Sequence, residues 1–225
     1  MNVVTIIQAR MGSTRLPGKV LMDIGGQTML ARVVRRASRA TLVNQTVVAP
    51  PWGDQAIINE CIRLGVRVFP ENEHDVLDRY CKTAHWFNAT AIVRVTGDCP
   101  FIDPDLIDAT IEKFLTEGAD YATNTQPRTY PKGLDVEVMS WDALFDVRCA
   151  AKEPYQREHV TPFFYQNPEQ FIIANVANDI DHSDKRWTVD TLEDLEFARR
   201  AYALMENVDM FSWSDLLQKL EGEKC

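Results

Sequence analysis

Short β-branched runs alternate with amphipathic stretches through residues 1–120, and that alternation leaves few folds open to the chain. Val3-Val4-Thr5-Ile6-Ile7 is a β-branched run of strand length, as expected in a sheet covered on both faces. After a polar loop containing Gly and Pro, Leu30, Val33, Val34 and Ala37 recur at i, i+3, i+4 and i+7, one face of a helix. Thr46–Ala49 reads as a second strand, stopped by Pro50-Pro51. Ile57, Ile58, Cys61 and Ile62 mark a helix and Val66–Phe69 a strand. Val76, Leu77, Tyr80 and Ala84 mark the next helix, Ala91–Val95 the next strand, and Ile107, Ile111, Phe114 and Leu115 another helix. Such alternation builds βαβ units around a parallel sheet with right-handed crossovers, so the expected class is α/β.

From Tyr121 the rhythm changes. Leu134–Val138 alternates apolar and acidic residues with period two, as a strand with one polar face does. A helix follows Trp141, then an aromatic-rich polar segment from Pro154 to Pro168. Phe171–Ala174 and Arg186–Val189 read as short strands. Leu192, Leu195, Ala198, Tyr202 and Met205 mark a long final helix, and Ser212 or Asp215 opens a short terminal one. With no repeat or flexible linker, the expectation is a single domain over 1–225. That domain divides into 1–120, an inserted irregular lobe at 121–185, and a closing strand with terminal helices at 186–225.

Composition removes several classes. The 225 residues carry a formal net charge of −9, against the basic footprint that a general nucleic-acid binder needs. No apolar run approaches the roughly 20 residues that span a bilayer. Met1–Ala9 lacks the features of a secretory signal, and a cytoplasmic setting is expected. The five cysteines, Cys61, Cys81, Cys99, Cys149 and Cys225, form no CxxC pair, which disfavours a zinc module or disulfide scaffold. Neither a GxSxG elbow nor an HExxH pair is present.

The strongest local signal is Gln8-Ala9-Arg10-Met11-Gly12-Ser13-Thr14-Arg15-Leu16-Pro17-Gly18-Lys19. Residues 1–22 hold Arg10, Arg15 and Lys19 and no carboxylate, inside an acidic protein. A polyphosphate would justify that concentration of charge. Gly12 lets backbone amides approach phosphate oxygens, the arginines fork onto oxygens in pairs, and Lys19 adds a mobile point charge. The loop also sits at the carboxyl end of the first strand, where α/β sheets bind ligands. It matches neither GxxxxGK[ST] nor GxGxxG, and three solvated surface cations are the plain alternative.

Two aspartates follow predicted strands directly: Asp98 in Thr96-Gly97-Asp98-Cys99-Pro100, and Asp190 after Trp187–Val189. If those strands run parallel to the first, both carboxylates face the basic loop and suit a hard cation shared with substrate phosphates. Asp98 closing a turn, and Asp190 capping the last long helix with Glu193, are the competing readings.

The run Ile6–Leu21, IIQARMGSTRLPGKVL, resembles the signature loop of the CMP-sugar synthetase (cytidylyltransferase) superfamily. The spore-coat polysaccharide (SpsF-like) branch is similar along the whole chain, through Asp75–Tyr80, Arg94–Asp98, Tyr130–Val138, Arg157–Thr161 and Thr188–Asp194. The resemblance implies a Rossmann-like nucleotidyltransferase fold with a mostly parallel central sheet, a Mg²⁺ requirement and a homodimer. It implies transfer of CMP from CTP to a sugar, acidic sugar or sugar phosphate, with release of pyrophosphate, for surface polysaccharide. Ala9, Arg10, Gly12, Ser13, Arg15, Lys19, Asp75 and Thr96 would contact the nucleotide, and Asp98 and Asp190 the metal. Arg10, Arg15, Lys19 and Asp98 would carry catalysis. The chain departs from the family's pattern at Phe69–His74, where relatives tend to have a basic Gly/Ser turn; this bears on base preference.

In the second half, Asp135 and Glu137 share a strand face that must be solvated or ligand-bearing. They join Tyr130, Glu158, His159 and Arg186 as candidate acceptor contacts, in a region the resemblance turns toward sugar or dimer partner without fixing roles. Use of another nucleoside triphosphate, a metal-dependent glycosyltransferase, and a non-catalytic nucleotide-binding subunit are the alternatives.

Overall fold

Side chains of successive strand residues point to opposite faces, so β1 (Val3–Gln8) feeds two cores at once. Val3 and Ile7 pack on one side of the sheet, Val4 and Ile6 on the other, all buried. The computed structural model describes residues 1–205 and 210–222; Cys225 lies outside them. β1 pairs in parallel with β4 (Gln45–Ala49) and β6 (Ala91–Thr96), and β4 with β5 (Arg67–Val68). A two-stranded hairpin, β2 (Asp23–Ile24) and β3 (Gln27–Thr28), lies apart from this sheet.

The strands of the second half join the same sheet with mixed direction. β8 (Glu137–Ser140) is antiparallel to both β6 and β7 (Tyr121–Thr123), while β9 (Ile173–Asn175) runs parallel to β7. The order is β5-β4-β1-β6-β8-β7-β9, a seven-stranded, mostly parallel sheet of Rossmann-like type.

Helices cover both faces. α1 (Met29–Ala37), α2 (Gln55–Leu64), α4 (Pro104–Thr116), α8 (Leu192–Ala203) and α9 (Trp213–Gly222) supply the core that holds Val3 and Ile7. α3 (Val76–Trp86), α5 (Trp141–Ala150) and α7 (Pro162–Gln166) pack on Val4 and Ile6, with α6 (Pro154–His159) against α3. The apolar spacings read in the sequence fall on these faces, except that Ile62, Leu115 and Leu192 are exposed and Met205 lies past the end of α8. No helix among the described residues is long and apolar enough to cross a membrane.

Three expectations are corrected. The strand placed at Leu134–Val138 begins only at Glu137, because residues 134–136 leave the ladder. Trp187–Val189 is extended but outside the sheet. It is held by Trp187 donating to the Lys132 carbonyl and Val189 to the Asp98 carbonyl. The cap of α8 is Thr191 rather than Asp190: its hydroxyl accepts from Asp194 N–H, and the Asp194 carboxylate accepts from Thr191 N–H. Thr and Asp three apart form the capping box, and the shift by one residue frees the Asp190 side chain.

Candidate functional site

The loop after β1 is shaped by its own backbone. Ser13 and Gly18 N–H both donate to the Met11 carbonyl at 2.9 Å, and Met11 N–H donates to Asp54 Oδ2 at 2.9 Å, tying the loop to the start of α2. Gly18, at φ +71°, takes a left-handed conformation that begins a short 3₁₀ turn and swings Lys19 inward.

Close backbone contacts bring the two aspartates to that lysine. Gly97 N–H donates to the Gln8 carbonyl at 2.8 Å, and a Cβ at Gly97 would stand 3.0 Å from that oxygen, so glycine suits the close approach of the β6 exit to the end of β1. Gly133, at φ +108°, does the same for the second approach: a Cβ there would lie 2.5 Å from Thr188 N. Residues 131–133 are thereby welded to 185–188, and Asp190 follows beside Asp98.

Lys19 Nζ lies 3.0 Å from Asp98 Oδ2, 2.9 Å from Asp190 Oδ1 and 2.7 Å from the Val189 carbonyl. Arg15 also reaches Asp190 Oδ1 at 2.9 Å, and Arg186 reaches its Oδ2 at 2.5 Å. Burial pushes the Asp190 carboxyl up, but hydrogen bonds from Lys19 and Arg186 and the charge of Arg15 outweigh it and bring its pKa down to about 2.

A cavity of about 430 Å³ opens here, lined by Ala9, Arg10, Ser13, Arg15, Lys19, Thr96, Asp98, Asp135, Glu158, His159 and Asp190 among the sequence-derived candidates. Arg10 faces Glu158 across it at 3.8 Å. Glu158 and His159 arrive from α6, which ends at Val160 with φ +72° and ψ −57°. Thr161 N–H donates to the His159 carbonyl at 2.9 Å, closing a three-residue turn that is strained for a β-branched residue.

Five candidates do not line the cavity, and each has other partners. Gly12 lies near the Glu73 carboxylate. Asp75 caps α3, accepting from Asp78 N–H at 2.9 Å, and pairs with Arg157. Tyr130 is buried with its ring edge on Trp213. Glu137, expected on a solvated or ligand-bearing face, is buried instead, paired with Arg94 and accepting from the Tyr121 hydroxyl at 2.6 Å. Arg186 grips Asp190 and Asp194. Asp135, which shares no ladder with Glu137, holds Arg128 in a two-point pair at 2.5 and 2.7 Å.

Residues not singled out beforehand also line the cavity, chiefly Gln8, Arg79, Arg94, Lys132, Gly133 and Thr188. Arg94 had a readable signal, a lone cation in the apolar run Ala91–Val95 that must find a buried partner. Lys132 and Thr188 had none, since only the contact at Gly133 brings them in. None of Phe69–His74 lines the cavity; Glu71 is paired with Lys82 at 3.0 Å. Within the aromatic-rich segment Pro154–Pro168, Phe164 enters the chain's own core, stacked on Tyr121 at 4.6 Å.

Among the described residues, no three His, Cys, Asp or Glu side chains converge as a metal cluster. Asp98 and Asp190 do converge on one point, the Lys19 ammonium. Two hard carboxylates fit a small divalent ion that takes its other ligands from water and substrate phosphates.

A Rossmann-like sheet with a cation-rich loop and two carboxylates at its carboxyl edge defines a nucleotidyltransferase, a reading the comparisons with known proteins bear out. Residues 4–217 match the profile of the family described as cytidylyltransferase, and the chain belongs to that family within the CMP-sugar synthetase superfamily. It is 34% identical to the spore coat polysaccharide biosynthesis protein SpsF of Bacillus subtilis, over 89% of this chain and 86% of that protein. A cytidylyltransferase structure from Leptospira borgpetersenii superposes with a TM-score of 0.95 at 32% identity, covering 100% of this chain and 95% of the other. A CMP:2-keto-3-deoxy-manno-octonic acid synthetase solved with CTP shares the fold, with a TM-score of 0.73 at 22% identity over 90% and 99% of the two chains.

Proposed function

We propose that this cytidylyltransferase moves CMP from CTP to a hydroxyl or phosphate oxygen of a sugar, acidic sugar or sugar phosphate, releasing pyrophosphate, in the making of surface polysaccharide. The observation that carries the reading is the meeting of Lys19, Asp98 and Asp190 on one cavity wall beside Arg10, Ser13 and Arg15. The SpsF relative supports the polysaccharide context.

In this reading Arg10, Ser13 and Arg15 bind the triphosphate, and their charges offset the negative charge that builds on the leaving pyrophosphate. Ala9 and Thr96, at the ends of β1 and β6, border the nucleoside. Asp98 and Asp190 would hold Mg²⁺, which when bound supplies Lewis-acid polarisation of a phosphoryl oxygen. Asp135, Glu158 and His159 face the same cavity and orient the acceptor for in-line approach, where positioning provides much of the acceleration. The Glu158 carboxylate, 3.8 Å from Arg10, holds that guanidinium toward the cavity until phosphate competes for it.

The test is pyrophosphate release with CTP, UTP or GTP, Mg²⁺ and a panel of acidic, neutral and phosphorylated sugars. CTP-dependent release with one acceptor class, and formation of the matching CMP-sugar, is the expected result. Release that depends equally on UTP or GTP, or nucleotide binding without release across the panel, would overturn it.

A further inference from the structure

A lysine ammonium has three N–H donors, and Lys19 has spent all of them. They go to Asp98 Oδ2, the Val189 carbonyl and Asp190 Oδ1, at 2.7–3.0 Å, from a side chain only 8% exposed. No donor remains for a phosphate oxygen. Three of the four carboxylate oxygens that would meet a divalent ion are held by cations as well. Lys19 takes Asp98 Oδ2, Lys19 and Arg15 share Asp190 Oδ1, and Arg186 takes Asp190 Oδ2. Asp98 Oδ1 meets the weak Cys99 thiol donor at 3.7 Å.

We propose that Lys19 is a built-in counter-cation that keeps the divalent ion out of the nucleotide-free site, so that metal is taken up only together with the triphosphate. This rests on the proposed pairing of Asp98 and Asp190 as metal ligands and adds the order in which the site fills.

Charge balance explains the order. With Asp194, three carboxylates are already matched by Lys19, Arg15 and Arg186, so a divalent ion added to that neutral set gains no net attraction and must displace a cation to reach an oxygen. Expelling Lys19 with nothing to receive it would strip a nearly buried ammonium of its carboxylate partners, which is strongly unfavourable. A triphosphate removes both obstacles. It offers several negative charges and many acceptor oxygens to Lys19, on its flexible four-carbon stem, and to Arg15, whose side chain is 61% exposed and can turn toward the cavity. Movement of Lys19 from carboxylate to phosphate frees Asp98 Oδ2, and movement of Lys19 and Arg15 together frees Asp190 Oδ1. Arg186 is not part of the exchange, because Asp194 also holds it, at 3.5 Å.

The experiment titrates the full chain with Mn²⁺ alone, following free Mn²⁺ by electron paramagnetic resonance. Nucleotide-free wild type should show no saturable single site. Lys19→Met, close in volume and uncharged, should acquire one at least about tenfold tighter, the size of change that altering a ligand's immediate partner produces. Adding Asp98→Asn to Lys19→Met should remove it. Wild type should take up Mn²⁺ once a non-hydrolysable CTP analogue is present, beyond what the analogue binds by itself. One equivalent of Mn²⁺ on nucleotide-free wild type, lost in Asp98→Asn, overturns the inference. So does a folded Lys19→Met with unchanged Mn²⁺ affinity. If Lys19→Met fails to fold, the wild-type titration decides alone, and Arg15→Gln provides a second arm in which a smaller gain is expected and no gain counts against it. The readout needs no turnover. A chain that excludes Mn²⁺ until nucleotide arrives yet transfers no CMP refutes only the proposed function, and one that transfers CMP but binds Mn²⁺ alone refutes only the exchange.

Discussion

Two groups of aspartates in this molecule look alike on paper and behave differently in the fold. Asp98 and Asp190 meet Lys19, Arg15 and Arg186 at the cavity; Asp75 and Asp78 meet Arg157, Arg148 and Lys82 between α3, α5 and α6. All are close ion pairs. The second group has structural work for its oxygens: Asp75 caps α3 with one and ties α6 with the other, and Asp78 joins α3 to α5 through Arg148 at 2.6 Å. None of those residues lines the cavity, whereas Asp98, Asp190, Lys19 and Arg15 do. An ion pair is available for chemistry when its cation has another partner to turn to, and Lys19 and Arg15 stand on the wall of the cavity with both carboxylates. The two groups are still linked, because the Asp75–Arg157 tether holds the helix that carries Glu158 and His159.

Substitution separates the two groups. Asp98→Asn should lower turnover by about 10²–10³, typical of losing one charge-stabilising group, with an unchanged melting temperature. Near-normal turnover would move Asp98 into the structural group. Gly133→Ala should come next, since a Cβ at 2.5 Å from Thr188 N forces 131–133 away from 185–188. A loss of about 1–3 kcal/mol, read as a lower denaturation midpoint, should accompany a higher KM for CTP. Asp75→Ala should cost about 0.5–2 kcal/mol in stability through the α3 cap while reducing turnover far less than Asp98→Asn. Equal losses of turnover in the two variants would erase the distinction.

The smallest effect concerns acid. Burial raises the Asp78 pKa, but Arg148 and Lys82 outweigh it and hold the group below its ordinary value of 3.8. A carboxyl depressed in the folded state stabilises the protein above its unfolded pKa and loses that contribution as pH falls through the folded one. Asp78→Asn should therefore flatten stability against pH below 3.8 and leave the site's activity profile near neutrality unmoved.

The alternation of strands and helices through residues 1–120 was legible because each β-branched run and each i, i+3, i+4 pattern is local, and burial on both faces of the sheet requires it. The basic loop was legible for a similar reason: three cations and no carboxylate in 22 residues is a property of composition. The second half was harder to read. Leu134–Val138 has strand periodicity, yet only its last residues join the ladder, because Gly133 bends the chain toward Thr188. Glu137 looked like a polar face and is instead buried with Arg94 and Tyr121, partners 43 and 16 residues away.

The α/β alternation, the cationic loop and the residue types able to bind phosphate and metal are local properties of the chain and are written in its residue order. Which carboxylates face that loop is a matter of packing. Lys19 lies 79 residues from Asp98 and 171 from Asp190, and the three meet through the close approaches at Gly97 and Gly133. Periodicity encodes which face of an element is buried; it carries no information about which distant side chains share a wall, because that depends on how the elements pack.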